Sequence, residues 1–77
     1  MTHEIGKILI QQKKYKKAYL IFSKLLENNS NDFKANFHMG RIYYDLNMLD
    51  KSVFFFQKSN KLQPNNPNII FNLALAL

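Results

Sequence analysis

Met39-Gly40-Arg41-Ile42-Tyr43, continued by Ser52, Phe56, Ser59 and Pro64, is the stretch that decides how this chain folds. Moving 34 residues toward the N-terminus from Gly40, Tyr43, Ser52, Phe56, Ser59 and Pro64 lands on Gly6, Leu9, Ala18, Phe22, Leu25 and Ser30. Glycine meets glycine and phenylalanine meets phenylalanine. Leu9 and Tyr43 share apolar bulk, Ala18 and Ser52 share small size, and Ser30 and Pro64 both break regular structure. Only Leu25 against Ser59 departs. Self-similarity at a fixed period of this length marks stacked copies of one supersecondary unit, because a single unit cannot bury its apolar face alone.

Working outward, the apolar spacing predicts five helices. The first spans about residues 2–13, with Ile5, Ile8 and Leu9 at i, i+3 and i+4 as its apolar stripe. Gly6 lies inside it, where glycine costs about 1 kcal/mol relative to alanine. A glycine kept there, and repeated at Gly40, implies close approach by a second helix. The second helix runs from Tyr15 to Asn28, with Ala18, Tyr19, Phe22, Leu25 and Leu26 on a 3.6-residue period. Asn28-Asn29-Ser30-Asn31-Asp32 is a run of turn formers, and Asp32 suits the N-cap of a third helix, Phe33 to Leu46. Asn47 can end that helix in the left-handed conformation. A fourth helix spans Leu49 to Leu62, and Gln63-Pro64-Asn65-Asn66-Pro67 stops it. Asn66 as cap with Pro67 at the first position opens a fifth helix that runs through Asn68 to Leu77.

The chain has 77 residues, no cysteine, ten lysines and one arginine among its eleven cations, and a formal charge of +6. Without cysteine there are no disulfides and no thiolate metal or redox centres. Phosphate recognition favours arginine forks, so lysine dominance fits a general compositional bias better than nucleic-acid binding. Met1-Thr2-His3-Glu4 is not the basic start of a secretory signal, and no stretch approaches the ~20 apolar residues of a membrane span. A cytoplasmic setting without membrane contact is the expectation. No acid–base pair, nucleophile motif or phosphate-binding glycine loop is present, so neither catalysis nor a cofactor is expected. His3 and His38 fall at neighbouring places on successive first helices, and two histidines alone make a poor metal site.

The pattern resembles the tetratricopeptide repeat, a 34-residue unit with the signature Trp-x2-Leu-Gly-x2-Tyr, Ala-x3-Phe and Pro. Asn36, Met39, Gly40, Tyr43, Ser52, Phe56 and Pro64 carry the match in residues 33–66, and Ile5, Gly6, Ala18, Phe22 and Ser30 carry it in residues 1–32. Residues 67–77 match a first helix alone, through Leu73 and Ala74. Asn36 stands where the family has tryptophan. The resemblance implies an all-α fold of antiparallel helix pairs stacked as a right-handed superhelix. It also implies a module that binds another protein or peptide in a concave groove lined by the first helices.

On that register the groove receives His3, Lys7, Ile10 and Gln11, then Lys34, Phe37, His38, Arg41, Tyr44 and Asp45, then Asn68, Phe71 and Asn72. A basic, aromatic face suits an acidic peptide or helix. The family subtype that clamps chaperone C-termini is not reproduced, since its positions hold His3, Lys7, His38, Asn68 and Asn72 here. Three consecutive phenylalanines, Phe54-Phe55-Phe56, cannot share one helix stripe, so Phe54 or Phe55 faces outward while Val53 and Phe56 face in. Phe54, Phe55, Leu73 and Leu77 are therefore candidates for self-association into a homo-oligomer. A basic helical-repeat protein that binds nucleic acid is the alternative, distinguished by where the lysines lie.

Overall fold

The computed structural model describes residues 2–77, and among these residues there are five helices and no strand: α1 Thr2–Gln11, α2 Tyr15–Asn28, α3 Phe33–Asp45, α4 Leu49–Leu62 and α5 Pro67–Ala76. Helices α1 and α2 pack as one antiparallel pair and α3 and α4 as a second, with α2 against α3 and α4 against α5. Helices α1, α3 and α5 run side by side in one layer. This is an all-α stack of the expected kind.

Both hairpins close by the same device. Lys13 and Asn47 take φ of 62° and 61°, the left-handed region. The Lys14 and Met48 amides then donate to the Leu9 and Tyr43 carbonyls at 2.8 Å, and the Lys13 and Asn47 amides donate to Ile10 and Tyr44 at 2.9 Å. These paired bonds satisfy carbonyls left free at a helix end. Asn47 fulfils its expected role; Lys13 does the same with a side chain poorly suited to it, which is why α1 stops at Gln11 and not near residue 13. At the start of α3 the Asp32 carboxylate accepts from the Ala35 amide at 3.1 Å. Asn66 likewise accepts from the Asn68 amide at 3.0 Å, ahead of α5 with Pro67 in its first turn.

The core is Ile10, Ala18, Phe22, Ala35, Met39 and Ile42, flanked by Leu9, Leu25, Leu26, Tyr43 and Phe55. A Cβ placed on Gly6 would lie 2.4 Å from the Phe22 ring, and one on Gly40 would lie 2.5 Å from the Phe56 ring. Each glycine is thus the seat of the phenylalanine sixteen residues later, on the partner helix of its pair. The close approach expected from the repeated glycines is made by an aromatic ring in both copies.

Polar groups in the interior fix the stacking. The Ser52 hydroxyl donates to the Gly40 carbonyl at 2.9 Å, and the Ser59 hydroxyl donates to the Phe33 carbonyl at 2.8 Å. Ser59 departs from Leu25 because it tethers α4 to the first turn of α3. Asn36, fully buried, donates to the Ser30 and Asp32 carbonyls at 3.2 and 3.0 Å and so straps the α2–α3 turn. A tryptophan there would fill space; asparagine binds backbone.

Two expectations need correction. Ile5 and Ile8 do not form the buried stripe of α1; both are half exposed, and Gly6 and Ile10 face the core instead. Their counterparts one repeat later, Met39 and Ile42, are buried because α2 lies against α3, whereas no helix among the described residues lies on that side of α1. Ile10, expected in the groove, belongs to the core for the same geometric reason.

Candidate functional site

A cleft of about 340 Å³ opens where the first turns of α1, α3 and α5 come together. Lys7 comes from α1; Phe33, Lys34, Phe37 and His38 come from α3; Asn66, Asn68 and Ile69 come from the start of α5. His3 and Glu4 complete it on the α1 side. Antiparallel pairing places the first helices in the same direction, so their N-terminal turns share one edge. Those turns carry the positive end of each helix dipole, and at α3 and α5 the Asp32 and Asn66 side chains already accept from the Ala35 and Asn68 amides. Lys7 and Lys34 stand in its lining together with Glu4.

Its floor is aromatic and neutral. The His38 ring sits between Phe22, centroids 4.8 Å apart, and Phe37, centroids 5.4 Å apart. Burial lowers the His38 pKa to about 4, assisted by the positive charges of Lys7 and Arg41 and partly opposed by Asp32. At neutral pH His38 is therefore an uncharged ring. Beside it, the His3 Nε2 lies 2.7 Å from the Asp32 carboxylate. Burial pushes the Asp32 carboxyl up, but the Ala35 amide and His3 outweigh it and hold the group below its usual value. Asp32 therefore caps α3 and anchors α1 at the same time. Among the described residues no group of three His, Cys, Asp or Glu side chains is placed to hold a metal.

Of the expected groove residues, Lys7, Lys34, Phe37 and His38 meet in the cleft. Arg41 and Asn72 lie one turn further along and contact each other at 3.4 Å, linking α3 to α5. Arg41 also approaches Asp45 at 3.7 Å. Phe71 is well exposed on α5 and Tyr44 is half-buried on α3, and neither lines the cleft. Phe33, Asn66 and Ile69 are lining residues that the sequence reading passed over. Helix caps and turns are read for punctuation, and the fact that three such ends converge is a tertiary property.

The remaining cations are spread elsewhere. Lys13 and Lys14 sit in the first turn, Lys16, Lys17 and Lys24 on α2, and Lys51, Lys58 and Lys61 on α4. Only Lys7, Lys34 and Arg41 belong to the first-helix layer. Among the self-association candidates, Phe54 and Leu77 are exposed while Phe55 and Leu73 are half-buried. Phe55 stacks on Tyr43, centroids 5.6 Å apart and planes within 11°.

No helix among the described residues is long and apolar enough to cross a membrane. A family model described as tetratricopeptide repeat matches residues 3–32 and again residues 33–66. The curated proteins contain no match to the chain.

Proposed function

Because this chain belongs to the tetratricopeptide repeat family, whose repeats mediate protein–protein contacts as scaffolds, we propose that it binds an acidic peptide segment of another protein in the cleft of α1, α3 and α5. The observation that carries the reading is the meeting of Lys7 and Lys34 with Phe33, Phe37, neutral His38 and Ile69 at three converging helix N-termini. A carboxylate of the ligand pairs with the lysines, and an adjacent apolar side chain rests on the aromatic floor. The nucleic-acid alternative is not favoured, because the lysines are scattered over α2, α4 and a turn and the single arginine is engaged with Asn72 and Asp45.

The reading is tested by titrating the chain with a capped peptide of alternating glutamate and phenylalanine while following backbone amide shifts. Lys7, Lys34, His38 and Ile69 should shift together, and Lys7→Glu/Lys34→Glu should abolish the effect. Shifts confined to other surfaces would refute it.

Helix α5 favours a second, compatible reading, self-association. It carries no charged residue. Ile70, Ala74 and Leu77 are exposed and Leu73 is half-buried, whereas Asn36, Gly40 and Met39 at the equivalent places of α3 are buried and Tyr43 is half-buried. In α3 Gly40 meets Phe56 of α4, and the matching face of α5 can be met by a second copy. Light scattering at high concentration that returns the mass of one chain would exclude this.

A further inference from the structure

The layer away from the cleft carries a pattern that neither reading uses. Lys17, Leu20 and Lys24 stand at i, i+3 and i+7 on one face of α2. Lys51, Phe54 and Lys58 repeat the arrangement on α4, in the same 34-residue register. Leu20 and Phe54 are 59% and 60% exposed, so the repeat reproduces the exposure as well as the position. A single exposed apolar side chain is ordinary. Two in register, each between two lysines, are not explained by packing.

A run of ring contacts leads from Phe54 on α4 to Tyr19 on α2, the neighbour of Leu20 in sequence. Phe54 meets Phe55 edge to face at 5.2 Å, Phe55 stacks on Tyr43, and Tyr43 meets Tyr19 of α2 at 6.4 Å. The Lys51 ammonium lies 5.4 Å from the centre of the Tyr43 ring. By repeat register these residues pair as three rails: Lys17 with Lys51, Leu20 with Phe54, and Lys24 with Lys58. Seven residues at about 1.5 Å each separate the outer rails by roughly 10 Å, about the diameter of a helix with its side chains. The two helices carry six lysines against Glu27 and Asp50.

We propose that this outer face of α2 and α4 docks an acidic amphipathic helix of a partner protein. The apolar stripe of that helix lies on Leu20 and Phe54, and its flanking carboxylates meet the lysine rails on either side. A second copy does not fit, because it would set lysine rails against lysine rails. An anionic membrane fits less well, since surface-bound helices sink a whole apolar face and only Leu20 and Phe54 among the large apolar side chains of α2 and α4 are more than half exposed. Nucleic acid lacks a use for Leu20, and the face has no arginine fork.

The experiment uses the intact chain and a dye-labelled, end-capped synthetic helix with a leucine stripe flanked by glutamates. Anisotropy should show saturable binding that weakens as salt rises, with amide shifts along Lys17–Lys24 and Lys51–Lys58. Leu20→Ser/Phe54→Ser and Lys17→Glu/Lys51→Glu should each weaken binding about tenfold or more. All these side chains project to solvent, and circular dichroism confirms that each variant is folded. Absence of binding at about 1 mM peptide, survival of binding in both outer-face variants, or shifts in the cleft instead would each overturn the proposal. Pelleting with phosphatidylserine vesicles, without peptide binding, would overturn it in favour of a membrane.

Discussion

Replacing Gly40 by alanine sets two opposing effects against each other, and the structure decides the sign. In a helix interior alanine is favoured over glycine by about 1 kcal/mol. The new Cβ would stand 2.5 and 2.6 Å from two carbons of the Phe56 ring and 3.0 Å from a third. Ordinary carbon contacts lie at about 3.5–4.0 Å, so the ring or the helix must move by about 1 Å. Phe56 is fully buried and its ring also meets Phe37, centroids 5.6 Å apart, which leaves it little room to retreat. Overpacking of this kind costs about 1–3 kcal/mol. The net effect is a loss of about 0–2 kcal/mol, read as a lower midpoint in urea or thermal unfolding followed by circular dichroism. Each kcal/mol lowers the melting temperature by roughly 4–8 °C in a chain of this size. Shrinking the ring should relieve the clash, so Gly40→Ala in a Phe56→Leu background should be less harmful than in the wild type, with a coupling of about 1 kcal/mol. A Gly40→Ala chain more stable than the parent would refute the reasoning, because it would mean the glycine seats nothing. Gly40→Leu, which adds three further carbons at the same point, should unfold the α3–α4 pair.

Three further outcomes follow from individual contacts. His38 has its pKa lowered from 6.5 to about 4, so burial in neutral form stabilises the fold fully above about pH 6.5 and the contribution is lost as pH falls toward 4; urea titrations across that window should show a decline of at most roughly 3 kcal/mol, largely flattened in His38→Leu. Lys13→Asn should raise stability by about 0.5–1 kcal/mol in thermal melts, since asparagine tolerates the left-handed backbone that Asn47 adopts one repeat later. Asp32→Ala removes both the cap on the Ala35 amide and the partner of His3 and should cost about 1–2 kcal/mol by the same assay, with faster amide exchange at the start of α3.

The cleft was partly legible before any coordinates. Lys7, Lys34, Phe37 and His38 were placed together because residues at matching repeat positions must share a face. Phe33, Asn66 and Ile69 were not, because their sequence signals report helix starts and say nothing about which starts converge. The link between His3 and Asp32 spans 29 residues and rests on no local pattern. The choice between Phe54 and Phe55 also needed the fold: Phe55 has Tyr43 to stack on, and Phe54 has solvent on its outer side.

What the sequence determined by itself was the repeat: its 34-residue register, the five helices, the two glycine seats and the caps at Asp32 and Asn66. Those features are local or strictly periodic, and periodicity survives without knowledge of neighbours. What only the tertiary structure decided was the fate of residues whose environment comes from the next helix in the stack. Ile5 and Ile8 have the same apolar character as Met39 and Ile42, yet only the latter pair is buried, because α2 lies against α3 and nothing described lies on that side of α1. His38 is neutral because it is buried, and the Phe22 ring that covers it comes from α2, sixteen residues away, which its place in the chain does not reveal.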